Sequence, residues 1–395
     1  MIEINKNVIL VKGVNRGAIY QLDTGNVYSI NAEAVQIIEK YINQKVSHDF
    51  LVALHDEGLF SFNYIFCNYI PSNVTKKLNT VWYEVTQSCN MKCLHCYEGG
   101  EHKPGKDLLT LHDWKNITYQ LKEIGIGRII VIGGEPTLYK HIEELLVFLH
   151  REEIKTTLFT NTYPINNELM NTILKTRPEI KVSLYGINAN VHDAITGIQG
   201  SFDKLINTIT FLGKNGIEVN IAITVMRENE HQIDSFPGFV AQLPIQRYKI
   251  DVIRKVFDGK QNLHFPNSES VKRKSYRHSP NFYATKEIFD RNISFNSCWF
   301  GKLVITENGK VLPCVFARNH EIGNIRTDTI KELLYKSTEL DNYWRLAVCK
   351  LNKCKLCEYR YACIDCRPLA EGVSNIHEKN PRCLYNPYKG VWGNV

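Results

Sequence analysis

Twelve cysteines are set into this 395-residue chain in clumps. Cys89, Cys93 and Cys96 share one short stretch, and the next cysteine is Cys298. Cys298, Cys314, Cys349, Cys354, Cys357, Cys363, Cys366 and Cys383 then crowd the C-terminal quarter, and Cys67 stands alone. With 44% hydrophobic and 23% charged residues the chain has the make-up of a folded protein, and its length suggests two or three domains. Met1-Ile2-Glu3-Ile4-Asn5-Lys6 lacks the basic and apolar run of a signal peptide. No stretch approaches the roughly 20 apolar residues that cross a bilayer. A cytoplasmic protein with no membrane partner is expected, and disulfides are disfavoured in that compartment. Clumped thiols there point to metal ligation.

The chain reads as four segments. Residues 1–78 begin with strand-like Val8-Ile9-Leu10-Val11, Ala18-Ile19-Tyr20-Gln21-Leu22 and Val27-Tyr28-Ser29-Ile30, with a turn at Asp23-Thr24-Gly25-Asn26. Asn31 can cap a helix carrying Ala34, Val35, Ile37, Ile38 and Tyr41, and a short helix follows over 47–56. Strands followed by two helices suit a winged-helix-like module. Seven basic and seven acidic residues balance there, which argues against DNA binding. From 79 to 255 strand-like and helix-like stretches alternate through six β/α steps. A parallel sheet with helical crossovers follows, as an open, partial (β/α)6 barrel. Residues 256–297 lose this rhythm; their basic runs, Lys272-Arg273-Lys274 and Tyr276-Arg277-His278, read as a solvated face of a connecting segment. The cysteine-rich domain, 298–395, opens with a hairpin pattern over 302–312, turning at Asn308-Gly309.

Cys89-Asn90-Met91-Lys92-Cys93-Leu94-His95-Cys96 directly follows the first strand of the alternating region. Three thiolates on one short loop can hold three irons of a cubane and leave the fourth open. Zinc sites favour four protein ligands in paired spacing, which fits less well. This loop resembles the cluster motif of the radical S-adenosylmethionine (SAM) enzymes. The resemblance implies that the open iron chelates the methionine end of SAM, and that one electron then cleaves SAM to a 5′-deoxyadenosyl radical. Gly133-Gly134-Glu135-Pro136-Thr137 after the second strand resembles the family's glycine-rich loop, whose backbone approaches the methionine amino group. Thr160 and Asn161 end the third strand. Ser183 ends the fourth and resembles a position contacting ribose or carboxylate; where the family often has Ser-x-Asp-Gly, this chain has Ser183-Leu184-Tyr185-Gly186. His192-Asp193 and Gly197 resemble the loop that follows. Ile221 stands where an adenine-packing residue is expected, or is plain core. Arg254, just past the sixth strand, would meet a carboxylate or is a surface arginine. Asp251 is a candidate proton acceptor whose direction alternation alone leaves open.

The C-terminal cysteines resemble the SPASM domain, which carries two auxiliary [4Fe–4S] clusters in many peptide-modifying radical enzymes. Two residues separate Cys363 from Cys366 where three are usual. By that resemblance Cys298, Cys314 and Cys366 ligate the first auxiliary cluster, with Cys349 as its fourth ligand or else a buried thiol. Cys354, Cys357, Cys363 and Cys383 ligate the second. Cys67, amid apolar neighbours, reads as a buried structural thiol. The formal charge of +7 suggests an anionic partner, but eleven thiolates on three [4Fe–4S]²⁺ clusters would bring it to about +2. No nucleic-acid partner is expected.

The N-terminal segment resembles the peptide-recognition element of enzymes that mature ribosomally made peptides, to which a leader peptide adds as a strand. The implied activity is removal of hydrogen from a precursor peptide and an oxidative intramolecular cross-link, thioether or carbon–carbon. The implied partners are that peptide, a reducing protein such as flavodoxin or ferredoxin, and an ATP-grasp enzyme. An anaerobic sulfatase-maturing enzyme that makes formylglycine would share the three-cluster layout, whereas a peptide epimerase would need a hydrogen-atom donor and fewer auxiliary clusters. A non-catalytic iron–sulfur carrier or zinc-stabilised binding protein would not need the open triple-cysteine loop beside Gly133-Gly134-Glu135-Pro136.

Overall fold

A computed structural model describes residues 1–96, 108–254, 263–277, 282–372 and 374–393. His278 and parts of the expected 256–297 connection lie outside the described residues. Chain contacts divide the protein into two compact units.

The first unit comprises Met1–Thr75, Tyr276–Phe300 and Asn342–Val395. Strands β1 (Ile2–Asn5), β2 (Val8–Lys12), β3 (Gly17–Gln21) and β4 (Asn26–Ile30) precede helices α1 (Ala32–Gln44) and α2 (Asp49–Asp56) and the short strand β5 (Cys67–Asn68). They form one antiparallel sheet in the order β4-β3-β2-β1-β5. As the sequence suggests, Asn31 caps α1, its side-chain oxygen accepting from Ala34 N at 2.8 Å. Val8 and Leu10 pack with Val35 and Ile38 of α1 and Leu51 of α2. Ile9 and Val11 point the other way and pack with Tyr20, Phe289, Tyr359 and Tyr385. The unbroken run Val8-Ile9-Leu10-Val11 encodes this two-sided burial; a sheet with one wet face would alternate. The N-terminal sheet therefore shares a core with the last cysteine-rich stretch. Tyr20 Oη donates to the Glu358 carbonyl at 2.8 Å, and Val14 N to Leu356 O at 2.9 Å. Cys67 is exposed on β5, opposite Glu3 of β1, and is not a buried thiol. A two-residue edge strand leaves one side of its residues to solvent.

The second unit comprises Lys76–Ser275 and Gly301–Asp341. Strands and helices alternate: β6 (Thr80–Glu84), α3 (Leu111–Glu123), β7 (Arg128–Ile132), α4 (Ile142–Arg151), β8 (Thr156–Thr160), α5 (Asn167–Thr176), β9 (Glu179–Leu184), α6 (Ala189–Thr196), α7 (Ser201–Lys214), β10 (Val219–Val225), α8 (Phe236–Val240) and β11 (Arg247–Val252). β6 to β11 lie side by side in chain order, all parallel. Helix α8 is short, and Pro237, with no N–H, sits in its first turn. Helices α9 (Glu269–Ser275) and α10 (Lys286–Ser294) follow, the latter in the first unit. Strand β12 (Lys302–Ile305) pairs parallel with β6 and extends the sheet, and β13 (Lys310–Leu312) and β14 (Gly323–Asn324) complete it. The hairpin expected over 302–312 is β12 and β13, with Gly309 at φ 89°.

Alternation along these strands sorts their residues. Val81, Tyr83, Ile129, Val131, Leu158, Ile180, Val182, Val219, Ile221 and Ile223 are buried on one face. On the other face the register aligns Phe159 with Lys181, Ser183 with Ala222, and Thr224 with Asp251. Arg128 and Glu179 pair there at 2.7 Å. One face is thus apolar and the opposite face is polar enough to meet a ligand. No helix among the described residues is long and apolar enough to cross a membrane.

Candidate functional site

At the C-terminal ends of β6 to β9 a cavity of about 200 Å³ is lined by Cys89, Cys93, Cys96, Gly133, Gly134, Glu135, Pro136, Thr160, Asn161 and Ser183. The structure therefore brings together all three cysteines of the first loop and nearly every residue expected to hold SAM.

Backbone ties explain why they meet. Gly134 N donates to Thr86 O and Glu135 N to Ser88 O, each at 2.8 Å, strapping the glycine loop to the segment that enters the cysteine loop. A Cβ on Gly133 would sit 2.3 Å from Thr86 O, and one on Gly134 2.5 Å from Gln87 O and 2.6 Å from Ser88 O. The glycines are thus required by the close approach of two chain segments, a reason additional to ligand access. Glu135 is buried and joins this loop to the end of β8: its carboxylate accepts from Thr137 N (3.1 Å), Thr137 Oγ1 (2.5 Å), Thr160 Oγ1 (2.7 Å) and Asn161 N (2.7 Å). Burial pushes this carboxyl up and those four donors pull against it. Asn161 Nδ2 donates to Asn90 Oδ1 at 2.9 Å, fixing the residue after Cys89.

The far side of the cysteine loop hangs from the end of α6. Lys92 N donates to Thr196 O (3.1 Å) and Leu94 N to Ile195 O (3.0 Å). Asp193 holds that support in place: it accepts from Gly200 N (2.6 Å), Phe202 N (2.8 Å) and Ser201 Oγ (2.8 Å), folding the chain into α7. His192 is buried, and its Nδ1 accepts from Tyr185 N at 3.2 Å.

The donor set suits an iron–sulfur cluster and SAM. Burial pushes the Cys89 thiol up to about 11 and Cys93 to about 12, with the neighbouring cysteines adding to both. Adjacent thiolates in a part-buried wall need a cationic partner, and iron is one. Beside them the Nδ1 of His95 is buried with no hydrogen-bond partner among the described residues, and burial pushes the imidazole down to about 4.

Ile221 is the exception among the expected cofactor residues. It registers with Val182, 1% exposed, on the apolar face, so its side chain belongs to the core. Ala222, opposite Ser183, has the cavity-side parity instead. Asp251 shares its face with Thr224, which answers the question that alternation left open. Its Oδ2 accepts from Arg254 Nη2 at 3.0 Å, and the Arg254 guanidinium lies over the Phe316 ring at 5.4 Å. Neither Asp251 nor Arg254 lines the cavity. The sequence reading missed Phe159, Lys181, His95 and Tyr185 in the wall. Lys181 was within reach, two residues before Ser183 and so on the same face.

In the first unit, Cys354, Cys357, Cys363 and Cys383 line one cavity of about 30 Å³. Burial pushes the first three thiols up, Cys363 to about 11. Cys349 lies outside that lining; its Sγ donates to Ile293 O at 3.3 Å. Cys298, Cys349 and Cys366 belong to the first unit and Cys314 to the second. The expected solvated face holds for Arg273 and Lys274, but Arg277 is only part-exposed and turns onto Cys363.

Residues 83–238 match the model of the Radical SAM superfamily, and residues 298–366 that of SPASM, an iron–sulfur cluster-binding domain. The chain thus carries a radical SAM domain followed by a C-terminal SPASM domain. It is 25% identical to the antilisterial bacteriocin subtilosin biosynthesis protein AlbA of Bacillus subtilis, over 75% of this chain and 69% of that protein. It is also 25% identical to an AdoMet-dependent heme synthase of Oleidesulfovibrio alaskensis, over 78% of this chain and 87% of that protein. In fold it is similar to Streptococcus suis SuiB bound to precursor peptide SuiA, with a TM-score of 0.61 at 17% identity, over 96% of this chain and 99% of that one.

Proposed function

We propose that this chain is a radical SAM peptide maturase that removes hydrogen from a ribosomally made precursor peptide and closes an oxidative intramolecular cross-link. The observation that carries the radical chemistry is the single cavity shared by Cys89, Cys93, Cys96, Gly133, Gly134 and Ser183. The likeness to a bacteriocin biosynthesis protein and to SuiB with its precursor peptide supports a peptide substrate.

Cys89, Cys93 and Cys96 would hold a [4Fe–4S] cluster by three corners. The Gly133-Gly134 backbone, Asn161 and Ser183 would receive SAM beside it. Cluster and SAM together supply, when bound, a one-electron cleavage that generates a hydrogen-abstracting radical. Glu135 keeps the glycine loop and the β8 end in register, and Asp193 keeps the cysteine loop on its support. Asp251, on the polar face and paired with Arg254, would accept the substrate proton. Cys354, Cys357, Cys363 and Cys383 would hold one of two auxiliary clusters, for three clusters in all. The parallel strands form a partial barrel open to the peptide. The N-terminal sheet and its two helices form a winged-helix-like platform on which the leader adds along edge strand β4. Flavodoxin or ferredoxin would reduce the enzyme in the cytoplasm, and an ATP-grasp enzyme would act on the same peptide.

Replacing Cys89, Cys93 and Cys96 together with alanine tests the first step. Anaerobically reconstituted wild type should release 5′-deoxyadenosine after addition of dithionite and SAM, and the triple variant none. Iron should fall from about twelve to about eight per chain. Undiminished 5′-deoxyadenosine in the variant would refute the assignment.

A further inference from the structure

Arg277 occupies a place that neither surface solvation nor an ion pair accounts for. It lies in a basic run that reads as solvated, yet its side chain is part-buried against the four-cysteine cavity of the first unit. Its Nη1 donates to Cys363 Sγ at 3.0 Å and its Nη2 to Ile364 O at 3.0 Å. The guanidinium also lies over the Phe282 ring, 5.3 Å from the centroid. Among the described residues no carboxylate hydrogen-bonds it. Asp365, two residues past Cys363, is taken by the buried Arg367, whose Nη2 donates to Asp365 Oδ1 at 2.5 Å.

A guanidinium taken partly out of water needs an anion. A neutral thiol does not provide one; a thiolate does, and Cys363 is a thiolate when it ligates iron. Nor is the side chain needed to fasten the segment. Arg277 N donates to Arg382 O at 2.7 Å and Leu384 N to Arg277 O at 3.3 Å, so the backbone already makes that connection.

We propose that Arg277 is a positioning residue that sets the redox level of the second auxiliary cluster, through a charged N–H···S hydrogen bond to Cys363. The proposal rests on the reading that Cys354, Cys357, Cys363 and Cys383 hold that cluster. Hydrogen bonds to cysteine sulfur, net charge and exposure set the potential of such clusters. The reduced form carries one more negative charge than the oxidised form, so a fixed cation beside one ligand sulfur favours it. Arg277 thereby makes this cluster the readier electron acceptor, which an oxidative cross-link needs: two hydrogens leave the peptide, one as an atom to the adenosyl group and one as a proton to base, and the remaining electron passes to a cluster.

The test is an electron-paramagnetic-resonance redox titration of the full-length, anaerobically reconstituted wild type, Arg277→Gln and Arg277→Lys, with iron counted in each. Arg277→Gln should lower one midpoint potential by at least a tenfold change in the oxidised-to-reduced ratio, about 59 mV for one electron. Arg277→Lys, which keeps the charge but not the fork, should lower it less, and the other clusters should not move. An unchanged midpoint in Arg277→Gln with full iron would overturn the proposal. So would loss of about four iron from both variants, which would make Arg277 a structural tie. Failure of the underlying ligand reading looks different: wild-type iron would be short by about four and insensitive to Cys383→Ala.

Discussion

Gly134→Ala tests the packing logic of the site. The new Cβ would meet Gln87 O at 2.5 Å and Ser88 O at 2.6 Å. Both are backbone atoms of the segment leading into Cys89, so no side-chain rotation can relieve the contact. Forcing a methyl group into a filled space costs about 1–3 kcal/mol. The unfolded chain loses entropy in the same exchange, which returns up to about 1 kcal/mol. A net loss of about 1–2 kcal/mol is expected, a factor of about 5–30 in the equilibrium. Because the strain falls between the glycine loop and the cysteine loop, SAM affinity should drop by about tenfold as well, about 1.4 kcal/mol. Gly238→Ala is the control: nothing lies within 4 Å of its added Cβ, and it lies in α8 on the same unit. Anaerobic equilibrium dialysis with SAM and the melting temperature of the reconstituted protein read both effects. If Gly134→Ala binds SAM and melts like Gly238→Ala, the two loops are not locked together as described.

Asp193→Asn should loosen the cysteine loop, lowering stability by about 1–3 kcal/mol as charge-assisted bonds are lost, with faster iron release to a chelator. Burial raises the Asp193 carboxyl, but the Phe202 and Gly200 N–H groups and the Ser201 hydroxyl outweigh it and hold it below its usual value. Such a group stabilises the fold above its unfolded value of about 4 and loses that contribution as pH falls through the lower folded value. An acid titration followed by circular dichroism should therefore show a shallower loss below about pH 4 in Asp193→Asn than in wild type. Removing residues 1–78 should unfold the rest of the first unit, because Ile9, Val11 and Tyr20 pack with Phe289, Tyr359 and Tyr385. A soluble truncated protein with a cooperative melt and a full iron complement would contradict that shared core.

The alternating region was legible because short apolar runs such as Arg128–Ile132 take turns with helical stripes such as that of α4. Cys89, Cys93 and Cys96 and the Gly133-Gly134 loop were legible because their spacing is local. What depended on register was not. Ile221 and Ala222 differ by one residue, and only the pairing with Val182 and Ser183 tells which faces the cavity. Strand β12 joins β6 across more than two hundred residues, and no local pattern announces that partner. Arg277 looked like one more cation in a basic run, since the thiol it touches is 86 residues away. The shared core of the N-terminal sheet was written in Val8-Ile9-Leu10-Val11, whose lack of alternation signals two buried faces.

The most direct measurement is the mass of a candidate precursor peptide after anaerobic co-expression with this enzyme. The account predicts a peptide lighter by two hydrogens, with the change lost when Cys89, Cys93 and Cys96 are replaced. Formylglycine made from serine is also lighter by two hydrogens, so the product is treated with a hydrazide: an aldehyde adduct, the mass change of formylglycine made from cysteine, or an epimerised peptide of unaltered mass would contradict the cross-linking claim even if SAM is cleaved.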